Sequence, residues 1–201
     1  MEYVLAHGYP VPEVLEVDAA GRDLVMERIQ GVTMVDSVKR APWTLGRRAR
    51  ELADLHDRLH AIDVPDFLKS APIGHGSALV HMDLHPLNVL ITPRGPVVID
   101  WTGAARGDPA VDVVVAWVLM AVGQVPVGRL EALLVGAARG ALVRSFVSCF
   151  DRATLAERVR EVVSWKVKDP HMSDAEVAAM WELVAREETS SPAAGTGAVG
   201  T

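Results

Sequence analysis

The chain has 201 residues, half of them hydrophobic, and a formal net charge of −6. This length suits one domain or a small two-lobed unit with a sizeable core, and the acidic balance argues against nucleic acid or an anionic membrane as the main partner. Cys149 is the only cysteine, which excludes an internal disulfide and favours a reducing cytoplasmic compartment. The longest apolar run, Val113 to Val122, is too short to span a membrane and predicts a buried helix.

The amino-terminal third begins with a predicted β-hairpin. Its strands are Val14–Val17 and Leu24–Met26, joined by a turn at Asp18-Ala19-Ala20-Gly21. Residues 27–31, with the sequence ERIQG, then leave the second strand as a connector. Taken alone, this connector is a plain strand exit.

The rest of the chain is mainly helical by pattern. Leu45 to Ile62 is amphipathic, with His56 on or near the apolar face, where a core histidine is the favoured interpretation. Helices are also predicted from Arg129 to Phe150 and from Leu155 to Val167. Ser173-Asp174-Ala175-Glu176 is a capping box that opens a last helix through Trp181 and Leu183. From Thr189 on, the composition is that of a disordered tail.

The most informative stretch runs from Val80 to Trp101. Asp83 lies on the loop HMDLHPLN, Asn88 follows five positions later, and Asp100 ends the run VVID. Two short strands around Pro93-Arg94-Gly95 predict a hairpin with Asn88 at the entry and Asp100 at the exit, so both fall at the same end. Two oxygen ligands beside a third carboxylate suit a phosphate-bound magnesium ion and a base for an incoming hydroxyl.

Two other interpretations of this stretch remain. A single aspartate at a strand end is commonly a cap, and an Asp-x4-Asn spacing arises by chance. The series His81-x-Asp83-x-His85 could also indicate a metallohydrolase. Alternating residues of an extended loop point to opposite sides, however, and no second histidine pair follows at ligand spacing.

HMDLHPLN, VVIDW and GDPAVD together resemble the aminoglycoside phosphotransferase and choline kinase-like small-molecule kinases, from about Tyr3 to about Glu182. The resemblance implies an α+β, protein-kinase-like fold, consisting mainly of the helical carboxy-terminal lobe with a catalytic-loop hairpin. The implied reaction moves the γ-phosphoryl of ATP (or GTP) to a hydroxyl of a small molecule, with Mg²⁺. The residues that match by family pattern are Asp83 as the catalytic aspartate, Asn88 and Asp100 as metal ligands, His81 as a loop brace, and Gly107-Asp108-Pro109 with Asp112 as a brace beneath the loop.

The resemblance also assigns the remaining parts of the chain. The connector resembles the family hinge, where Met26, Glu27, Arg28 and Ile29 would meet the adenine. Residues 1–31 then form a remnant of the amino-terminal lobe and the hinge, residues 32–188 the helical lobe, and residues 189–201 a tail. The acceptor site would lie in the helical region, with WKVKDPHMS as a candidate. A plain turn explains that segment equally well, and its candidate residues are Trp165, Lys166, Lys168, Asp169 and His171.

The sequence departs from the family at its start. A kinase of this type has a glycine-rich phosphate cover and a lysine on its third strand. No G-x-G-x-x-G precedes Met26, and the first lysine is Lys39. Met1 to Leu5 resembles the end of the family's αC-type helix, so the amino-terminal lobe is expected to be truncated, or the true start lies upstream. Transfer would then be impaired, and the alternative function is a non-catalytic pseudokinase or small-molecule binding module.

The same departure predicts a solution property. The strand at Leu24–Met26 would be an edge with unpaired backbone groups, although Arg22, Asp23 and Glu27 give it some charge protection. Exposed apolar edges pair with other chains. Self-association through this edge is therefore expected or, in its place, rapid amide exchange over residues 14–29 while Leu45–Ile62 and Val113–Val122 stay protected.

Overall fold

The computed structural model describes residues 1–18, 23–123 and 129–190, with the backbone alone for residues 129–135. In chain order its α-helices are α1 (Glu2–Ala6), α2 (Met34–Arg40), α3 (Leu45–His60), α4 (Pro109–Val122), α5 (Arg129–Val147), α6 (Arg152–Lys166) and α7 (Asp174–Ser190). Its strands are β1 (Val14–Val17), β2 (Leu24–Met26), β3 (Val32–Thr33), β4 (Ala78–Val80), β5 (Val89–Thr92), β6 (Gly95–Val98) and β7 (Ala105–Gly107). The predicted α+β class is confirmed.

Helix α4 forms the centre of the helical region. It contacts α3, α5, α6 and α7, and ten of its fourteen residues are buried. A helix that is apolar all round is stable only when other elements surround it, which explains this central position. The only buried charged residue of α4 is Asp112, in its first turn.

The strands form three small sheets. β1 pairs with β2, β3 pairs with the hairpin β5–β6, and β4 pairs with β7, all antiparallel. In the central sheet Val32 lies opposite Ile91, so the connector after β2 is attached directly to the β5–β6 hairpin. Gly31 allows this close approach, because a Cβ there would lie 2.8 Å from the carbonyl oxygen of Ile91.

Several helix ends differ from the sequence-based bounds. α6 begins three residues before the predicted Leu155, because the side chain of Asp151 accepts hydrogen bonds from the amides of Ala153 and Thr154 and caps the helix. α5 ends at Val147 rather than Phe150, and α3 ends at His60 rather than Ile62. α7 continues through Ser190, two residues into the predicted tail. The predicted turn residues 19–21 and the tail from residue 191 lie outside the described residues.

Two predicted features are confirmed in detail. Ser173 and Glu176 cap α7 reciprocally, since the amide of Ser173 donates to Oε2 of Glu176 and the amide of Glu176 donates to Oγ of Ser173. The run Val113 to Val122 lies within the buried helix α4. Within the described parts of the chain, no helix combines the length and the apolar character that crossing a lipid bilayer requires.

The β1–β2 hairpin exposes a concentrated apolar surface. The side chains of Leu15, Val17, Leu24, Val25 and Met26 are each at least 40% exposed. In the described chain the two strands pair only with each other. A two-stranded sheet is marginal alone, and an exposed apolar edge accepts a further strand.

We predict that two copies of the chain associate through this hairpin. Val25→Lys places a charge in the middle of β2 and should convert the associated species to a monomer, as measured by light scattering. Trp43→Lys, at an apolar side chain that is 84% exposed elsewhere on the surface, serves as the control and should leave association unchanged. A monomeric wild type would contradict the association, and a monomer whose amides at residues 14–17 and 24–26 exchange as slowly as those of α4 would show that the hairpin is also stable alone.

Candidate active site

A buried carboxylate fixes the loop that carries Asp83. Asp112 is fully buried, and its Oδ1 accepts a hydrogen bond from the amide of Met82 at 2.6 Å. Its Oδ2 accepts from the amide of His81 at 3.1 Å and lies 2.9 Å from Nε2 of His60. The predicted role of Asp112, a brace beneath the loop, is therefore seen directly in its contacts. Burial alone would raise the pKa of Asp112, but the hydrogen bond with His60 and the nearby histidines outweigh it and lower the pKa to about 2.

The amides that Asp112 holds belong to a loop in an uncommon conformation. Met82 has φ of 64°, in the left-handed region that non-glycine residues seldom adopt. Such a conformation persists where its surroundings over-determine it, and it concentrates at functional sites. Here the Asp112 carboxylate fixes the backbone immediately before Asp83.

The side chains of Asp83 and Asn88 are in direct contact. Nδ2 of Asn88 donates to Oδ2 of Asp83 at 2.8 Å and to the main-chain carbonyl of Asp83 at 2.9 Å. The amide nitrogen is thus committed to Asp83, and Oδ1 is the polar atom of Asn88 that remains for another ligand. The five-residue spacing is closed by two turns, in which the amides of His85 and Asn88 donate to the carbonyls of Asp83 and His85.

The hairpin brings Asp100 to the same end as Asn88. Val89 lies opposite Val98, and the amide of Ile99 donates to the carbonyl of Asn88 at 3.0 Å, so Asp100 follows directly after the last cross-strand bond. Asp100 has φ of 62° and an exposed side chain whose Oδ1 accepts a hydrogen bond from Thr102. The predicted arrangement of the two ends is confirmed.

The segment after Asp100 packs against the loop before Asp83. The rings of His81 and Trp101 lie 4.8 Å apart, and a Cβ at Gly103 would come within 2.9 Å of the His81 carbonyl oxygen.

The loop also carries a second histidine, His85. Burial lowers the pKa of His85, while the charges of Asp83 and Asp100 both act in the opposite direction. Of the two carboxylates, Asp83 lies 3.6 Å from that imidazole.

The predicted hinge residues lie beside this hairpin rather than within the Asp83 loop. Met26 ends β2, and the carboxylate of Glu27 forms an ion pair with Arg94 at 3.0 Å, which connects this segment to the turn between β5 and β6. The amide of Glu27 donates to the carbonyl of Glu13. Arg28 is exposed and Ile29 is half-buried.

The segment WKVKDPHMS forms a hydrogen-bonded turn after α6. Asp169 accepts from the amide of His171 at 3.0 Å and pairs with Nζ of Lys166 at 2.9 Å. The Lys166 side chain is only 13% exposed, lies over the ring of Trp165, and contributes to lowering the pKa of His85. The segment is therefore a turn held by its own hydrogen bonds, with Lys166 largely buried.

The described side chains do not support the metallohydrolase alternative. Among residues 1–18, 23–123 and 136–190, no three histidine, cysteine, aspartate or glutamate side chains converge as a metal site. The ring of His81 is buried against Trp101, and His85 contacts Asp83 through Nε2 at 3.6 Å.

Two residues near the site had no role in the predicted phosphoryl transfer. His60 forms the pair with Asp112 across 52 positions of sequence, and His85 faces Asp83. His56 and His60 lie one turn apart on α3. This i, i+4 spacing of two histidines is the feature of the sequence that could have predicted a polar contact on the buried face of the helix. The predicted core position of His56 is correct: it is fully buried, and its Nδ1 lies 2.9 Å from the carbonyl of Leu52.

His56 generates a pH prediction. Burial lowers its pKa to about 4, against the opposing charge of Asp112, whereas an imidazole in an unfolded chain titrates near about 6.5. As the pH falls from about 6.5 to about 4, the unfolded chain takes up a proton at this position that the folded chain does not. The free energy of unfolding should therefore fall by about 3 kcal/mol across this window because of His56.

Urea unfolding at several pH values between about 7 and about 4 measures this loss. His56→Phe, which keeps an aromatic ring beside Phe146, should remove that part of the pH dependence, while His75→Asn at an exposed loop histidine should retain it. Identical pH dependence in wild type and His56→Phe would show that His56 titrates alike in both states.

Comparisons with known proteins show which proteins this chain is similar to. Residues 66–158 match a family model described as a phosphotransferase enzyme family. This segment contains Asp83, Asn88, Asp100 and Asp112. No curated protein sequence matches the chain significantly.

Solved structures share the fold at low sequence identity. A choline/ethanolamine kinase family protein from Mesorhizobium loti is 18% identical, with a TM-score of 0.51 over 95% of this chain and 76% of that one. An aminoglycoside-3'-phosphotransferase of type VIII is 18% identical, with a TM-score of 0.54 over 92% of this chain and 77% of that one. An amicoumacin kinase in complex with AMP-PNP, Ca²⁺ and Ami is 14% identical, with a TM-score of 0.50 over 95% of this chain and 75% of that one.

The matched structures and the arrangement of the helical region confirm the predicted kinase-like fold. Together with the family model, they also confirm the resemblance that the motifs predicted: this chain is similar to the aminoglycoside phosphotransferase and choline kinase-like small-molecule kinases.

Proposed function

We propose that this protein transfers the γ-phosphoryl group of ATP (or GTP) to a hydroxyl group of a small molecule in a Mg²⁺-dependent reaction. The observation that carries the proposal is the contact between Asp83 and Asn88, on a loop whose backbone is held by Asp112. Phosphoryl transfer asks a protein mainly for positioning and electrostatic stabilisation. A carboxylate fixed in this way is suited to orient an acceptor hydroxyl and take its proton.

Asn88 and Asp100 are the proposed metal ligands. Oδ1 of Asn88 is left over after Nδ2 binds Asp83, and Asp100 presents an exposed carboxylate at the end of the hairpin. Both supply hard oxygen donors, which Mg²⁺ prefers, and Mg²⁺ is commonly held by one or two protein carboxylates together with substrate phosphates. When bound, the ion neutralises charge on the phosphates of the nucleotide.

The nucleotide is proposed to bind at the connector formed by Met26, Glu27, Arg28 and Ile29. β3 follows this connector and pairs with β5, and the ion pair from Arg94 to Glu27 adds a second attachment. A base held at the connector would therefore be fixed relative to the hairpin that carries Asn88 and Asp100.

The acceptor is proposed to be an aminoglycoside-like compound or another small hydroxyl metabolite. A polycation would need several carboxylates facing the pocket. The candidate acceptor segment WKVKDPHMS instead offers one carboxylate, Asp169, which is already paired with Lys166. An acceptor with fewer positive charges than an aminoglycoside therefore fits as well as an aminoglycoside does.

The proposed roles predict different defects in two conservative variants. Asp100→Asn removes a charged metal ligand and should weaken nucleotide binding in the presence of Mg²⁺ only. Asp83→Asn removes the base and should leave nucleotide binding near wild type while lowering turnover by about 10²–10⁴, the usual contribution of general acid–base catalysis. Titration with ATP, with and without Mg²⁺, together with product formation, measures both effects.

Asp54→Asn, on the exposed side of α3, is the matched control and should change neither quantity. Equal loss of nucleotide binding in Asp83→Asn and Asp100→Asn would contradict the division of roles between the two carboxylates.

A non-catalytic nucleotide-binding or small-molecule-binding module is the second candidate. The 25 residues that precede Met26 in this sequence contain neither a lysine nor a G-x-G-x-x-G motif, the groups that hold the β- and γ-phosphates in kinases. Single electrostatic donors of this kind contribute about 10²–10³ to a rate, so slow transfer is expected of these 201 residues. Mg-dependent ATP binding without product, across a panel of hydroxyl acceptors and with water, would favour the binding module.

A further inference from the structure

We propose that His85 is a positioning residue that orients the carboxylate of Asp83 for the acceptor hydroxyl. The inference rests on the proposed function and extends it to a residue with no role in the transfer as described so far. His85 lies on the same loop, two positions after Asp83, and its side chain is 17% exposed. It faces the oxygen of Asp83 that Asn88 does not contact.

The loop backbone selects one tautomer of His85. The amide of Leu87 donates a hydrogen bond to Nδ1 of His85 at 3.3 Å. A nitrogen that accepts a hydrogen bond carries no proton, so the neutral ring bears its hydrogen on Nε2. If Nδ1 carried a proton, its N–H would face the N–H of Leu87, and two donors repel each other. The loop therefore favours the neutral ring with its hydrogen on Nε2.

Nε2 is the ring nitrogen of His85 that lies near the Asp83 carboxylate. Nε2 of His85 lies 3.6 Å from Oδ1 of Asp83, while Nδ2 of Asn88 lies 2.8 Å from Oδ2. Each oxygen of Asp83 thus has its own neighbouring nitrogen, His85 Nε2 for Oδ1 and Asn88 Nδ2 for Oδ2. A separation of 3.6 Å is slightly beyond hydrogen-bond range, and catalytic hydrogen bonds often tighten when substrate binds. Asn88 and His85 together would fix the plane of the carboxylate and leave its remaining lone pairs for the hydroxyl.

The loop geometry also explains why a histidine suits this position. An asparagine side chain can place an acceptor near the position of Nδ1 but does not reach the position of Nε2. A glutamine side chain can place a donor near Nε2 but supplies no acceptor at Nδ1. Only the imidazole contacts both Leu87 and Asp83. An asparagine at position 85 therefore keeps the contact with Leu87 alone, and a glutamine keeps the contact with Asp83 alone.

The test compares His85→Asn and His85→Gln in hydrolysis of Mg-ATP, with water as the acceptor, so that no acceptor need be identified. His85→Asn retains the loop contact and loses the donor to Asp83. Its kcat should fall about 10- to 100-fold, the usual effect of losing a partner that orients a catalytic group, with the KM for ATP unchanged. His85→Gln should recover part of this loss, and His75→Asn at an exposed loop histidine should match wild type. The opposite order, with His85→Asn near wild type and His85→Gln impaired, would assign His85 to loop structure alone and overturn the proposal.

Nitrogen-15 NMR of the histidine rings in the full chain gives a result that does not depend on turnover. We expect His85 in the Nε2–H tautomer, with a resonance that shifts in Asp83→Asn while that of His75 does not. The Nδ1–H tautomer, or a His85 resonance insensitive to Asp83→Asn, would also overturn the proposal. Absence of hydrolysis in wild type, combined with the expected spectra, would count against the proposed function and support the His85–Asp83 contact.

Discussion

The carboxylate of Asp112 is the interaction on which the arrangement of this site depends. It lies in the first turn of the most buried helix of the described chain and binds two consecutive amides of the loop before Asp83. A buried charge is stable only when hydrogen bonds and opposite charges compensate its lost hydration. The Asp112 carboxylate finds these partners only if the loop keeps its left-handed turn at Met82, so the stability of the core and the shape of the loop are coupled.

The loop that carries Asp83 also contacts the segments on either side of the β5–β6 hairpin. Its backbone packs against Gly103, its histidine packs on Trp101, and its carboxylate binds Asn88 at the entry of the hairpin. The hairpin in turn carries β3 and the connector on one side, while the amide of Val98 donates to the carbonyl of Pro10 on the other. Each of the proposed site residues on the loop and the hairpin therefore lies on a segment whose backbone is hydrogen-bonded to a neighbouring segment. This is the condition for holding reactive groups within a fraction of an ångström.

The sequence predicted those parts of the site that depend on local pattern. Two β-branched runs around Pro93-Arg94-Gly95 specify the hairpin, and the hairpin alone brings Asn88 and Asp100 to one end. Contacts between residues far apart in sequence could not be predicted in this way. The pair of His60 with Asp112 spans 52 residues, and nothing local marks Met82 for a positive φ. The start of α6 was misplaced because Asp151 caps it before the apolar pattern begins.

Hydrogen exchange at the amides of His81 and Met82 tests the central role of Asp112 most directly. Asp112→Asn keeps the size of the side chain but replaces one acceptor oxygen with a donor, and loss of a buried charged partner costs about 3–5 kcal/mol. The account predicts that exchange of these two amides accelerates by about 10²-fold or more, since each factor of ten corresponds to about 1.4 kcal/mol. Asp54→Asn, on the exposed side of α3, should leave both amides protected. Unchanged exchange at His81 and Met82 in Asp112→Asn would contradict the account.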